Sequence, residues 1–288
     1  MPQSGFIWVD DSDGLQRVVR EAGRARIIAL DTEYDSFHYF REKLCLVQAK
    51  TPLGTYLLDP ISADLAPLAN ILANKSILKI IHAGDNDLRI LTRDYNFDFR
   101  NIFDTQRAAS ILGSHHLSLG SVITEYLGIE LKKSKKMQRS QWDCRPLTGE
   151  QMEYAVEDIE YLIPLYQELK RLLKERDLEK QAEKAFEDEI ASARWSEKVL
   201  DSRGHTRIDG FQDMRPSQRR RLAALYRWRF HKAKETNRAV FMILSDQNIA
   251  ELAKERIYSA ESLSRSGILT EKKFEQYGME ILEAVKSK

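Results

Sequence analysis

The residues of this sequence whose types and spacing could do chemistry are carboxylates. Asp31 and Glu33 stand two apart, directly after the short apolar run Ile27–Leu30. If that run is a strand, its period of two puts both side chains on one face. Two acids side by side repel, and a divalent cation would stabilise them; a pair of solvated strand-end acids is the plainer alternative. Asp87 lies in His82-Ala83-Gly84-Asp85-Asn86-Asp87-Leu88, where a buried strand passes through a turn of small residues into a helix. The helix dipole favours acids in a first turn, which by itself would explain Asp85 and Asp87. Tyr154 and Asp158 are four apart and share one face of a helix.

These residues need elements to hold them. Strands are expected over residues 26–30, 44–48 and 55–59, with turn chemistry at Lys50–Gly54, which makes an antiparallel meander. Alternation follows: a helix over 64–72, a strand over 79–82, a helix over 85–92 and a strand over 102–104. The pattern predicts an α/β fold, a mixed sheet with helices on its faces. A helix is expected over 117–127 and a basic loop over 132–145. Thr148 and Gln151 form a capping box for the helix carrying Tyr154 and Asp158. Its apolar stripe runs on to Leu173, with a kink expected near Glu160–Pro164 because proline removes a backbone donor. Charged helix is expected to continue to about Leu200. Glycines and turn residues then break the pattern, so the reading is a first domain over 1–200, a linker over 201–210 and a small all-α bundle over 211–288. Ser245 is expected to cap the helix 246–255, and Thr270 the helix 271–286.

Composition narrows the class. The 288 residues are 42% hydrophobic and 31% charged, enough for real cores and a hydrophilic surface. No apolar run approaches the roughly 20 residues needed to span a bilayer. The first ten residues lack a basic-then-apolar signal pattern, so no membrane association and a cytoplasmic location are expected. Cys45 and Cys144 form no C-x-x-C pair, which argues against zinc and for two reduced thiols. The net charge of +1 hides local fields. Arg215, Arg219, Arg220, Arg221, Arg227, Arg229, Lys232, Lys234 and Arg238 face only Glu235 in their stretch. Lys132, Lys133, Lys135, Lys136, Arg139 and Arg145 face only Asp143 in theirs. Either could contact a polyanion or be a solvated surface.

In order and spacing, D-x-E on a strand, an aspartate opening a later helix and Y-x-x-x-D on a capped helix resemble the DEDD exonucleases. The histidine branch would need a histidine five residues before Asp158; that position is Glu153, so the sequence resembles the tyrosine branch. Within it, Leu30–Tyr34, Lys43–Gln48, His82-Ala83 with Asp87-Leu88, Phe103–Gln106, Ser140–Trp142 and Arg145–Leu147 are similar to ribonuclease D. From about Phe211, Leu225–Arg229 and Ile243–Asp246 resemble the helical HRDC domain. Longer bacterial members carry two such domains, and this chain has room for one.

The resemblance implies a ribonuclease H-like sheet and a metal-dependent 3′→5′ exoribonuclease. It would trim structured RNA such as tRNA precursors and release nucleoside 5′-monophosphates. Asp31, Glu33, Asp87 and Asp158 would hold two Mg²⁺ or Mn²⁺ ions, hard cations that take oxygen ligands. Tyr154 would orient the attacking water, since a phenol with a pKa of about 10 is a poor base at neutral pH. Lys133, Lys136 and Arg139 would grip the backbone, with His82 nearby; Trp142 would stack a base or sit in the core; Arg219, Arg220 and Arg227 would offer a second surface. RNA is expected over DNA, with no small-molecule cofactor, in a monomer. Two other readings stay open: a Werner-type DNA exonuclease and a non-catalytic nucleic-acid-binding scaffold. No phosphate-binding G-x-x-x-x-G-K-[ST] loop occurs, so the chain is not a helicase ATPase.

Overall fold

The computed structural model describes residues 5–131, 137 and 140–286. The chain divides into two compact units, residues 1–35 with 43–196 and residues 36–42 with 197–288.

The first unit contains β1 (Ile7–Val9), α1 (Ser12–Ala25), β2 (Ile27–Asp35), β3 (Lys43–Thr51), β4 (Gly54–Leu58), α2 (Ala69–Leu72), β5 (Leu78–Ile81), α3 (Asp85–Tyr95) and β6 (Ile102–Asp104). The helices α4 (Thr105–Ile111), α5 (Leu119–Leu127), α6 (Gly149–Glu160), α7 (Leu162–Glu175) and α8 (Glu179–Ser192) follow. The six strands form one sheet in the order β1-β4-β3-β2-β5-β6. The expected meander is there: β2 pairs antiparallel with β3, and β3 with β4. β5 and β6 add in parallel on the other side of β2, so the sheet is mixed. The edge strand β1, parallel to β4, was not expected; three residues are too few for a period to show.

β2 is buried on both faces along its first half. Ile28 and Leu30 join a core with α1 and α3, while Ala29 joins one built from α4, α5, α7 and α8. The alternation continues into Asp31, Thr32 and Glu33, which places the two acids on the Ala29 face and Thr32 on the Leu30 face.

Three expected helices differ. Residues 64–72 resolve into a 3₁₀ turn, Ala66–Leu68, and the short α2, because Pro67 must start a helix rather than sit inside one. The expected kink is a full break at Tyr161. Pro164 supplies no N–H for the Glu160 carbonyl, so α6 ends there and α7 starts afresh. The charged helix stops at Ser192 rather than near Leu200. The Ser192 hydroxyl donates to the Glu189 carbonyl, and Trp195 instead lies 6.0 Å from the Arg93 guanidinium.

The second unit is helical: α9 (Pro216–Thr236), α10 (Val240–Ile243), α11 (Asp246–Lys254), α12 (Ala260–Arg265) and α13 (Glu271–Lys286). Ser245 caps α11 in a capping box with Asn248, as expected. Leu222 and Leu225 of α9 meet Ile249 and Leu252 of α11 and Ile281 of α13 in one core. The segment expected as a linker is part of this unit: Gly204–Arg207 form a 3₁₀ turn and Ile208 is buried in the core. Residues 36–42 also belong here. Phe40 is buried in the same core with its ring 5.1 Å from Phe230, and the Ala239 N–H donates to the His38 carbonyl at 2.9 Å.

Candidate active site

Asp31 and Glu33 stand on the sheet face covered by α6. Leu46, directly opposite Glu33, packs with Ala155 and Val156 of that helix. The helix is fixed at its start by the expected box: the Gln151 N–H donates to Thr148 Oγ1 at 3.2 Å, and the Thr148 N–H to Gln151 Oε1 at 2.9 Å. Gln151 also ties down the preceding chain, because its Nε2 donates to Ser140 Oγ at 2.8 Å and to the Gln141 carbonyl at 3.2 Å.

So placed, α6 brings Tyr154 and Asp158 to the two strand acids. The Tyr154 hydroxyl is hydrogen-bonded to Asp158, and the charges of Asp158, Glu33 and Asp31 all act on it. Burial first, then these three carboxylates, push the phenol far above its ordinary pKa. It therefore stays protonated and acts as a donor.

Asp87 arrives by another route. It lies in the first turn of α3, and the Thr32 hydroxyl, between Asp31 and Glu33, donates to its Oδ1. Burial pushes the Asp87 carboxyl up to about 7; Thr32 works against this, and the charges of Asp104 and Asp85 add to it. The structure thus gathers three of the four expected carboxylates around Tyr154 and hooks the fourth to the same strand through Thr32. Among the described residues, no three His, Cys, Asp or Glu side chains form a ready-made metal cage. The donor set still suits a hard cation. Magnesium in particular is commonly held by one or two carboxylates, with water and substrate phosphate completing its shell.

Other expected site residues divide. Both ring nitrogens of His82 are spent on the protein, Nδ1 with Thr105 Oγ1 at 2.8 Å and Nε2 with the Leu117 carbonyl at 3.1 Å, so His82 is a strut. Trp142 is 1% exposed and offers no face to a base; its ring backs Tyr154 at 6.0 Å. Arg145 turns inward rather than to a phosphate. It clamps Asp59 at 2.7 and 2.9 Å and donates to the Cys45 carbonyl at 2.6 Å. Lys133, Lys136 and Arg139 lie outside the described residues.

In the second unit Arg219 donates to the Gln212 carbonyl at 2.6 Å and stacks on Phe211, so it is not the open phosphate contact expected. Arg220 and Arg227 are exposed. The sequence reading missed Gln48, which is 0% exposed and directly opposite Asp31, with neither amide atom hydrogen-bonded among the described residues. Its place in the Lys43–Gln48 run was the available signal.

A mixed sheet with helices on both faces thus carries acids that act on a helical tyrosine. The family model described as 3′-5′ exonuclease matches residues 6–174, and that described as HRDC domain matches residues 218–285. Ribonuclease D of Serratia proteamaculans is 30% identical over 259 residues, 88% of this chain and 68% of that protein. The crystal structure of Escherichia coli RNase D, an exoribonuclease involved in structured RNA processing, has a TM-score of 0.71 at 26% identity, covering 98% of this chain and 74% of that one. The catalytic core of RRP6 from Trypanosoma brucei shares the fold, with a TM-score of 0.86 at 23% identity over 99% of this chain and 79% of that one. The chain belongs to the ribonuclease D family and is an exonuclease. The DEDD exonuclease family generally uses divalent metal ions. No helix among the described residues is long and apolar enough to cross a membrane.

Proposed function

We propose that this protein is a 3′→5′ exoribonuclease that trims the 3′ ends of structured RNA, tRNA precursors among them, and releases nucleoside 5′-monophosphates. Asp31, Glu33, Asp87 and Asp158 are the ligands for two Mg²⁺ or Mn²⁺ ions. The observation that carries the reading is the convergence of Asp31, Glu33 and Asp158 on the Tyr154 phenol. Bound divalent cations supply Lewis acidity and lower the pKa of water.

The chain's own residues do the rest. Water attacks the terminal phosphorus, the P–O3′ bond breaks, and the 3′ oxygen of the shortened chain leaves with a proton. Tyr154 orients the water by hydrogen bonding, with Asp158 fixing the hydroxyl. Trp142 keeps the ring from swinging away. Arg220 and Arg227, with the basic stretch 132–139, supply phosphate contacts. Similarity to an RNA-processing enzyme at 26% identity supports RNA as the polymer. The proposal extends to a cytoplasmic monomer, for which sedimentation is the test of the oligomeric state.

The deciding experiment digests matched 5′-labelled RNA and DNA with Mg²⁺, with Mn²⁺ and with chelator, alongside Asp31→Asn. A ladder shortening from the 3′ end of RNA, abolished by chelator and in the variant, is expected. Faster digestion of DNA would transfer the reading to a DNA exonuclease. Undiminished activity in the variant would end it.

A further inference from the structure

A second cluster of ionisable groups lies beside the site and is not used by the chemistry above. Asp104 is 0% exposed and caps α4: its Oδ1 accepts from the Gln106 N–H at 2.7 Å and the Arg107 N–H at 3.0 Å. Its other oxygen, Oδ2, accepts from the Gly84 N–H at 2.9 Å. Gly84 is the residue at which α3 begins, and no side chain of its own region caps that helix. The turn leading to it is awkward. Ala83 has φ of 56°, in the left-handed region, and a Cβ on Gly84 would crowd Ile81. One buried carboxylate therefore spans the first turn of α4 and the amide at the N-cap of α3. Asp87 sits three residues beyond that amide.

Asp104 is itself held from behind. Glu189 of α8, 1% exposed, is hydrogen-bonded to Asp104, and its Oε2 lies 2.7 Å from Arg107 Nε. Arg107 reaches on to Asp85 Oδ1 at 2.7 Å. Beyond its ion pair with Arg107, an ionised Glu189 would set an oxygen against the Asp104 carboxylate with no proton between them. A proton on it supplies the donor that Asp104 lacks on that side. Burial first, and then the charge of Asp104, push Glu189 up to about 9, in line with that arrangement.

We infer that Asp104 is a positioning residue for Asp87: its carboxylate, braced by Glu189 and Arg107, holds the Gly84 amide and so fixes the turn that presents Asp87 to the site. The inference rests on the reading of Asp87 as a ligand. It assigns the Asp104–Glu189–Arg107 group to the geometry of the site rather than to the core alone.

Asp104→Asn keeps the size and one acceptor, but its NH₂ must face either Gly84 or the start of α4, a donor against a donor. Outer-shell groups of this kind are worth about 10–100-fold in metal affinity or activity. The variant should lower kcat by about tenfold or more with the KM for RNA within about twofold, and raise the Mn²⁺ concentration for half-maximal activity about tenfold. Two readouts are independent of turnover. Hydrogen exchange across residues 83–88 of the metal-free protein should quicken, and Mn²⁺ titrated calorimetrically in the absence of RNA should bind more weakly.

Glu189 variants decide the case if Asp104→Asn does not fold. Glu189→Leu should reproduce the exchange and Mn²⁺ effects in weaker form. Glu189→Gln, whose amide donates to Asp104 as a protonated acid does, should recover most of them. A lowered Tm with unchanged exchange at 83–88 and unchanged Mn²⁺ response would reduce Asp104 to an ordinary helix cap and overturn the inference. Full activity of Asp87→Asn would instead remove Asp87 from the catalytic reading, and the exchange data would still decide whether Asp104 holds the turn.

Discussion

The acidic strand-and-helix cluster of the first unit and the arginine-rich helix of the second stand out equally in the sequence, yet folding treats them in opposite ways. Asp31, Glu33 and Asp158 are brought together on Tyr154 despite their mutual repulsion. The cations of α9 are mostly dispersed into their own unit. Arg221 donates from Nε and Nη2 to the Ala253 carbonyl, closing the end of α11. Arg229 is 3% exposed and donates to the Leu244 carbonyl and to Asp246. Lys232 pairs with Glu235 and Glu280, and Lys234 with Glu197. Spacing explains the difference. The acids recur at intervals that place them on one face of one strand and one face of one helix. The cations are spread around all sides of α9, so most of them meet helix ends and acids of the bundle.

Substitutions on either side put this contrast at risk. The largest effect belongs to Asp31→Asn and Glu33→Gln, which should each reduce single-turnover cleavage by more than the about 100-fold that removing a supporting group brings. A small effect would mean that the acids gather without serving catalysis. Tyr154→Phe comes next, lowering kcat about 100-fold with the KM for RNA nearly unchanged. A rise in KM alone would make the tyrosine a binding group.

Gln48→Met probes the acidic side more finely. It removes two buried polar atoms without partners, so Tm should rise, while kcat should fall about tenfold because the amide opposite Asp31 is gone. A raised Tm with unchanged kcat would show that the amide only fills space.

Glu189 ties stability to pH. It titrates at about 9 in the folded protein and near 4.5 when unfolded, so between those values the folded state binds an extra proton. Its contribution to stability is fully present below about pH 4.5 and is lost as the pH rises through about 9. The slope is at most about 1.4 kcal/mol per pH unit, and Glu189→Gln should flatten it in urea melts across that range.

Smallest of all, Arg220→Ala with Arg227→Ala should weaken single-stranded RNA binding several-fold and reduce the salt slope by about 0.7 for each phosphate no longer neutralised. An unchanged slope would leave α9 purely structural.

Much of the site is legible in the sequence, wherever chemistry follows local periodicity. The run Ile27–Leu30 announces a strand, the two-residue interval puts Asp31 and Glu33 on one face, and Thr148 with Gln151 announces the start of the helix that aligns Tyr154 with Asp158. Roles that depend on a distant partner are not legible there. Trp142 and His82 read as candidate contacts because the sequence does not disclose that one is buried behind Tyr154 and the other bonded at both nitrogens.

By itself, then, the sequence determined five of the six strands in their order along the chain, the capping boxes that start main helices, and the pairing of Asp31 with Glu33 and of Tyr154 with Asp158. These follow from steric and hydrogen-bonding rules acting over a few residues. Only the tertiary structure decided that Thr32 binds Asp87, that Gln48 faces Asp31, that Asp104 reaches Gly84, and that residues 36–42 belong to the helical unit. Each joins positions far apart in the chain, where the partner is chosen by which elements pack together rather than by any local pattern.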